Sequence, residues 1–320
     1  MQHRPRHVVE YLALRCVAAV LNALPYRCAL ALGCALAALG FHLLHGGRRE
    51  ACRRMQIAFG DRFTAADRRR MAWISLRNTV FNMIELLRIG RLSRRWFDAH
   101  FDCADYVKAV RSCTDEGRGA VIACPHMGNW ELAGAACHVY GVPIFNIAAR
   151  QRNPLTNAYF NRVRSGTGIE SIERGTGSMR RVLRRVRNGG ALAILPDSRM
   201  RHPGILLPFL GGQANLGTGM ATFARHAGVP VFPGIVTREG WTRHRVRLCT
   251  PLYPDPSLPK LQDTHRMMMQ VVKVCDEAIR ERPEQWFWYN RRWVLDPVQG
   301  EEQGRARRGP ADRERQPGSA

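Results

Sequence analysis

A histidine at the end of a short apolar run is the residue in this chain best placed for acid–base chemistry. Residues 120–124 are apolar and favour a strand, Pro125 ends the run, and His126 follows directly. In α/β proteins, reactive groups gather at the carboxyl ends of strands. An imidazole there, with an ordinary pKa of about 6.5, can accept a proton from an alcohol once another group orients it. His126 is therefore a candidate general base, although an isolated histidine is more often structural.

Two carboxylates are candidates for orienting the imidazole. Glu131 is five residues further on, in the first turn of the helix that residues 127–129 introduce. On one continuous helix the two side chains would be about 140° apart and could not touch. Their pairing therefore requires His126 to lie in the turn, with its ring folded back towards the helix. Asp197 is the rival, because it follows another apolar run, residues 191–195, that could pair in parallel with the first.

Two further features near His126 have chemical potential. The free backbone N–H groups around residues 128–130, at the start of the predicted helix, could bind an oxyanion or a phosphate. Cys124 is a candidate nucleophile, although it is expected to point along a buried strand. The chain has neither a GxSxG elbow nor a phosphate-binding P-loop, so a serine acyl-enzyme and nucleotide hydrolysis are not indicated.

Short β-branched runs alternate with helical patterns through most of the chain, which predicts an α/β fold with a mixed, partly parallel sheet flanked by helices. Thr64 and Asp67 have the spacing of a capping box at the start of one helix. The predicted helices are 48–59, 64–89, 106–116 and 178–187, and the predicted strands are 120–124, 143–148, 191–195, 229–236 and 246–249.

Composition indicates a folded, reduced protein with an anionic partner. The 320 residues are 45% hydrophobic, and 49 Lys and Arg against 26 Asp and Glu give a net charge of +23. Nucleic acid, phospholipid or an acidic carrier protein would each suit that charge. The ten cysteines are scattered and form no CxxC pair, which is typical of buried cytoplasmic thiols and argues against disulfides or zinc.

The N-terminal region indicates membrane attachment. Residues 8–44 are mostly apolar, and the cleanest run, residues 28–44, would be about 25 Å long as a helix, slightly less than the about 30 Å of a bilayer core. A short span, an interfacial hairpin hinged at Pro25 and a buried core helix are the alternatives. We predict a membrane-anchoring segment at 1–47, a catalytic domain at 48–298 and a disordered polar tail at 299–320.

The sequence HMGNWE, residues 126–131, resembles the HX4(D/E) motif of the bacterial lysophospholipid acyltransferase family, best known for the late, lauroyl–myristoyl-type acyltransferases of lipid A biosynthesis. The resemblance extends from about residue 8 to residue 296. It includes Asn153-Pro154, Pro196-Asp197, the PFLG run at 208–211, the GTG run at 217–219 and the closing PEQWFWYNRRW at 283–293.

The resemblance implies transfer of a fatty acyl chain from an acyl carrier protein or coenzyme A thioester to a hydroxyl of a lipid A precursor. A phospholipid or another glycolipid, such as phosphatidylinositol mannoside, is the alternative acceptor. His126 would be the general base, with Glu131 or Asp197 orienting it. No metal and no cofactor beyond the thioester co-substrate is expected. The implied substrate-binding residues are Asn129, Arg150, Arg152 and Arg199.

The expected location is the cytoplasmic face of the bacterial inner membrane, with an anionic membrane lipid as acceptor. A nucleic-acid-binding protein is the alternative outside enzymology, but dispersed arginines and an apolar N-terminus argue against it. Trp286 and Trp288 are predicted to pack in the core or, alternatively, to form an interfacial belt with Arg291 and Arg292. The sequence carries no signal for an oligomeric state.

Overall fold

The computed structural model describes residues 4–43, 45–148 and 152–296. The predicted tail at 299–320 and the candidate residue Arg150 lie outside them. The described helices are α1 Pro5–Ala23, α2 Tyr26–Leu43, α3 His45–Phe59, α4 Ala65–Arg88, α5 Arg94–His100, α6 Ala104–Thr114, α7 Trp130–Val139, α8 Pro154–Ser165, α9 Ser178–Arg187, α10 Gly219–Ala227 and α11 Lys260–Glu281. The strands are β1 Phe101–Asp102, β2 Ala120–Ala123, β3 Ile144–Ala148, β4 Glu170–Glu173, β5 Ala191–Ile194, β6 Ile205–Phe209, β7 Gly212–Leu216, β8 Val231–Glu239 and β9 Arg243–Leu248.

A mixed sheet of seven described strands, in the order β1-β9-β8-β2-β5-β3-β4, forms the centre of the fold. Neighbouring strands are parallel except for β8 and β9. All four residues of β2 are buried, as expected for a strand covered by helices on both faces. The predicted fold class, a partly parallel sheet flanked by helices, is confirmed.

The order of the strands places the candidate residues at one edge of the sheet. β2 and β5 are parallel neighbours, with Ala123 opposite Ile194, so the two chains leave the sheet side by side. Pro125 and His126 continue from β2, and Pro196 and Asp197 continue from β5. The parallel pairing considered from the sequence is therefore present, and it carries Asp197 towards His126.

A small antiparallel hairpin, β6 and β7, lies outside the main sheet and was not expected from the sequence. Pro208 lies in the middle of β6, where it weakens a strand pattern because proline cannot donate a hydrogen bond. In the connecting turn, Leu210 has φ 49° and Gly211 has φ 80°. Leucine rarely occupies a turn position with positive φ, where asparagine, aspartate or glycine is usual. The hairpin therefore lacks the usual sequence signals.

The N-terminal helices form a hairpin that packs on the rest of the protein. α1 ends at Ala23 and α2 begins at Tyr26, so the chain turns at the predicted Pro25 hinge. α2 packs along α4, and Gly33 permits the close approach, since a Cβ there would lie 2.2 Å from Cδ1 of Ile84. Among the described residues, α2 is the one helix long and apolar enough to cross a bilayer.

The capping box at the start of α4 is present as predicted and gives a direct test of local stability. The Thr64 hydroxyl accepts from the Asp67 N–H at 3.1 Å, and the Asp67 carboxylate accepts from the Thr64 N–H at 3.0 Å. Replacing Thr64 with Ala should lower the free energy of unfolding by about 1 kcal/mol, because helix donors lose their acceptor. Urea denaturation measures this, and Thr64→Ser, which keeps the hydroxyl, should be nearly as stable as wild type. Equal loss in both variants would contradict the capping role.

Candidate active site

His126 and Asp197 form a closely bonded pair at the carboxyl edge of the sheet. The Nδ1–H of His126 donates to Oδ1 of Asp197 at 2.8 Å, and the His126 backbone N–H donates to Oδ2 at 2.8 Å. The carboxylate can only accept, so it fixes the tautomer with hydrogen on Nδ1 and leaves Nε2 as the basic nitrogen. The Asp197 side chain is 1% exposed, whereas that of His126 is 20% exposed. The ring is therefore held from behind and remains accessible in part.

Trp286 completes the surroundings of the carboxylate. Its indole N–H donates to Oδ2 of Asp197 at 2.7 Å, and its own side chain is buried. The predicted core packing of Trp286 and Trp288 is confirmed, since both are buried. The hydrogen bond from Trp286 to Asp197 could not be predicted from local patterns, because 89 residues separate the two.

The two charges adjust each other's pKa. Burial disfavours the imidazolium, but the charge and hydrogen bond of Asp197 outweigh it and raise the pKa of His126. For Asp197, burial opposes ionisation, but His126 and the donors around the carboxylate keep its pKa below the ordinary value. Asp197 is therefore ionised at neutral pH and stabilises a proton arriving on the ring.

Glu131 does not bond to the imidazole, and the expectation that it orients His126 is not what the structure shows. Its carboxylate forms a two-point ion pair with Arg164 of α8, at 2.6 Å from Nη2 to Oε1 and 3.1 Å from Nε to Oε2. Glu131 lies in the first turn of α7, and its side chain extends towards α8 and not towards the imidazole ring. Its negative charge still contributes to the raised pKa of His126.

Arg164 is a candidate functional residue that the sequence reasoning missed. It lies 33 residues after Glu131, on a helix that also carries Arg162, so spacing does not single it out. The bidentate pair fixes the guanidinium against Glu131, and the Arg164 side chain is 19% exposed. The motif glutamate therefore holds a positioned, partly exposed positive charge.

Asn129, predicted to bind substrate, is instead a buried structural residue. Its Oδ1 accepts from the Leu132 N–H at 3.1 Å and caps α7, and its Nδ2 donates to Oε2 of Glu85 at 2.6 Å. Its exposed fraction is 0%, so it offers no surface to a substrate. The physical reason is that asparagine is a favoured N-cap residue, and this helix begins directly after it.

A buried charge cluster beneath the turn holds Asn129 in place. The Glu85 carboxylate, on α4, is paired with the Arg238 guanidinium of β8 and accepts from Tyr26 Oη at 2.6 Å. Asn82, one helical turn before Glu85, donates to the Gly128 carbonyl at 2.6 Å. Burial disfavours charge on Glu85, but Arg238 compensates and lowers its pKa. We call Asn82, Glu85, Asn129 and Arg238 the turn-support cluster.

The backbone of the turn needs glycine at residue 128, and the N–H of that residue is not one of the free donors expected from the sequence. Gly128 has φ 59°, and a Cβ there would lie 2.4 Å from the Val236 carbonyl oxygen. Its N–H already donates to the Gln285 carbonyl at 3.0 Å, so it is not available to an oxyanion. Residue 128 is therefore a structural position.

The remaining candidates lie apart from the His126–Asp197 pair in the hydrogen-bond network. Arg152 is exposed just before α8, and Arg199 donates from Nε to the Asp296 carbonyl at 2.8 Å. Burial raises the pKa of the Cys124 thiol far above the ordinary value, which disfavours the thiolate that a cysteine nucleophile requires. No group of His, Cys, Asp or Glu able to hold a metal ion is found in the described parts of the chain.

Comparison with known proteins identifies the family. Residues 2–294 match the family described as bacterial lipid A biosynthesis acyltransferases. The chain belongs to this family. The match includes the strand, the HMGNWE turn, Asp197 and Trp286, so the geometry above is that of a family member.

Two curated relatives are phosphatidylinositol mannoside acyltransferases. The one from Mycolicibacterium smegmatis is 25% identical over 192 residues, which cover 58% of this chain and 60% of the relative. The one from Mycobacterium tuberculosis is 25% identical over 127 residues, covering 39% and 40%. These matches therefore span between two fifths and three fifths of the relatives' length. The crystal structure of the 1-acyl-sn-glycerophosphate acyltransferase of Thermotoga maritima is similar with a TM-score of 0.38 and 16% identity, over 79% of this chain and 95% of that one.

Removing the charge of Asp197 should change the pH dependence of the reaction. Burial disfavours the charged imidazolium, and in Asp197→Asn the carboxylate no longer offsets this effect, so the pKa of His126 should fall. Because a base must be neutral, the acid limb of the kcat/KM profile should move to lower pH, and the plateau should drop as the tautomer is no longer fixed. Glu131→Gln is the matched control, with a smaller displacement in the same direction. An acid limb at the wild-type pH in Asp197→Asn would refute this assignment.

Gly128→Ala should damage both stability and activity. Two costs combine, the positive φ and the collision with the Val236 carbonyl, so we expect a loss of at least about 1–3 kcal/mol in unfolding free energy. Gly60→Ala is the control, because Gly60 has φ 58° but open space at its Cβ position. It should cost about 1 kcal/mol and keep full activity. Urea denaturation and kcat, measured for both variants, distinguish the cost of the collision from the cost of the positive φ. Equal losses in Gly128→Ala and Gly60→Ala would show that the contact with the Val236 carbonyl is unimportant.

Proposed function

We propose that the protein transfers a fatty acyl chain from a thioester to a hydroxyl group of a membrane lipid. The observation that carries the proposal is the partly exposed His126 ring, held by a buried Asp197 in the turn of the family motif. Nε2 takes the proton of the acceptor hydroxyl as its oxygen attacks the thioester carbonyl. The tetrahedral intermediate then collapses, the C–S bond breaks, and the leaving thiolate takes the proton back from the imidazolium. Asp197 stabilises the imidazolium between these two steps.

Arg164 supplies positive charge to the same reaction. Its pair with Glu131 fixes the guanidinium plane, and Glu131 lies near enough to His126 for its charge to raise the pKa of the ring. A cation held in place by Glu131 would stabilise the developing oxyanion or a phosphate of the acceptor. In this proposal Glu131 acts through Arg164 and is a positioning residue.

Two acceptors are supported by different observations. A lipid A precursor is suggested by the family that the chain belongs to. A phosphatidylinositol mannoside is suggested by the names of the two curated relatives. Both offer a hydroxyl on a phosphate-bearing glycolipid, and the donor in either case would be an acyl carrier protein or coenzyme A thioester. No family evidence favours the nucleic-acid-binding alternative.

For the membrane contact, we propose that α2 lies along the surface of the inner membrane, with the active site on the cytoplasmic side. α2 buries Ala29, Leu30 and Gly33 against α4. α4 carries the consecutive arginines 68–70 as well as Arg77. If α2 crossed the bilayer, its packing partner would take these charges into hydrocarbon, which is costly. An interfacial position keeps the apolar face of α2 in lipid and α4 in water.

Acyl transfer by the purified protein tests the proposal. Wild type should acylate one of a lipid A precursor and a phosphatidylinositol mannoside from a radiolabelled acyl carrier protein or coenzyme A donor. His126→Ala should reduce kcat by about 10²–10⁴, because the base is lost. His226→Ala, on an exposed histidine of α10, should retain wild-type activity. Transfer by His126→Ala at the wild-type rate would sink the mechanism, and no transfer by wild type to any lipid hydroxyl would sink the function.

A further inference from the structure

A groove between α2 and α4 combines apolar walls with two arginines at its mouth. Its volume is about 400 Å³. Phe41 and Trp73 meet edge to face in it, with ring centroids 5.6 Å apart, and Phe41 is buried. The residues that line it are Ala38, Phe41 and His42 from α2, and Ala66, Arg69, Arg70 and Trp73 from α4.

The two arginines of the groove are not ion-paired with any carboxylate of the described residues. Arg69 and Arg70 are both exposed, and within the described part of the chain neither has a hydrogen-bond or ion-pair partner. The nearby acidic residue, Asp67, is occupied by the Thr64 N–H and hydroxyl of the capping box. Two positive charges at the start of α4 are therefore available for an anion, and the positive end of the α4 dipole adds to their field.

α2 also carries an exposed apolar stripe, on a different side of the helix from the groove. Leu32, Leu36, Leu39 and Leu43 follow one another along that face with exposed fractions of 39%, 59%, 56% and 66%. Their spacing of three or four residues places them in one stripe, about 140° or more around the helix from Phe41. A ligand that fits the groove has a phosphate for the arginines and a hydrocarbon chain for Ala38, Ala66 and Trp73. A free phosphate would leave these apolar walls uncovered, and the stripe offers hydrocarbon a second contact on the same helix, so the combination favours a lipid of the bilayer.

We propose that this groove binds one anionic phospholipid, with its phosphate on Arg69 and Arg70 and an acyl chain along Trp73, Ala66 and Ala38. The inference rests on the interfacial position of α2 put forward above and is independent of the acyl-transfer chemistry. The site gives the protein a preferred orientation on anionic membranes, with the start of α4 at the lipid phosphates.

Vesicle flotation tests the charge requirement. Wild type should bind mixed vesicles, made of equal amounts of phosphatidylcholine and phosphatidylglycerol, more tightly than it binds vesicles of phosphatidylcholine alone. Arg69→Ala/Arg70→Ala should weaken binding to the anionic vesicles about tenfold or more, since each arginine at a membrane surface contributes about 1 kcal/mol. Arg180→Ala/Arg181→Ala is the matched control, an adjacent exposed pair on α9 with the same loss of charge. Equal loss in both variants would overturn the site in favour of diffuse attraction.

Fluorescence quenching tests the position of the lipid. Brominated phosphatidylglycerol in the vesicles should quench part of the tryptophan emission of wild type, and that part should be missing in Trp73→Phe. Quenching that is unchanged in Trp73→Phe would place the lipid elsewhere. Inorganic phosphate is then added at a concentration equal to that of the lipid phosphate in the vesicles. Release of the protein under this condition would mean that a free anion, not a lipid, is the ligand.

The same variants keep this inference separate from the proposed function. Transfer to a detergent-dispersed acceptor should be unchanged in Arg69→Ala/Arg70→Ala, because the groove does not include the reactive residues. Conversely, His126→Ala should float with anionic vesicles as wild type does. A catalytically inactive wild type that still needs Arg69 and Arg70 for flotation would refute the acyl-transfer function alone.

Discussion

The buried Asp197 carboxylate is the group on which the rest of the site depends. A carboxylate that is 1% exposed is stable as an ion only when its oxygens are well satisfied, and here they accept from the imidazole, a backbone N–H and the Trp286 indole. The donors come from two distant segments, His126 after β2 and Trp286 near the C-terminal end of the described chain, while the carboxylate itself follows β5. The charge can therefore be buried only when these three segments are correctly assembled. Burial in turn strengthens the effect of the carboxylate on His126, because water does not screen it.

A second buried carboxylate, Glu85, acts on the other side of the same turn. It is paired with Arg238 and holds Asn129, the cap of α7, while Asp197 holds His126 three residues earlier. The turn is thus held at both ends by charges that are buried away from water. Gly128, between them, allows the turn to approach the β8 carbonyl of Val236. Such support from outside the reacting groups is what keeps a catalytic side chain within the narrow geometry that proton transfer requires.

The features that could be predicted from the sequence are those that short local patterns encode. The strand before His126, the helix after it, the capping box at Thr64 and the α9 helix with its bounds at 178–187 all follow from short patterns. The choice between Glu131 and Asp197 could not be made this way, because it depends on the register of β2 against β5, which only the assembled sheet fixes. Arg164, Glu85 and the bond from Trp286 to Asp197 were missed for the same reason, since each of these residues comes from a distant segment. Asn129 was assigned to substrate because its motif position was visible and its buried partner was not.

One helix, α4, connects the groove beside α2 with the site. Near its start Trp73 faces the α2 groove, and two residues later the Ser75 hydroxyl donates to the Trp286 carbonyl at 2.6 Å. Further along, Asn82 and Glu85 support the turn that carries His126. A helix of 24 residues is about 36 Å long, so one rigid rod passes from the groove to the turn-support cluster. A lipid bound in the proposed site would fix the start of this rod on a membrane surface, and with it the direction in which the His126 ring faces, without any movement within the protein. An acceptor embedded in the same leaflet would then meet the base in a repeatable orientation.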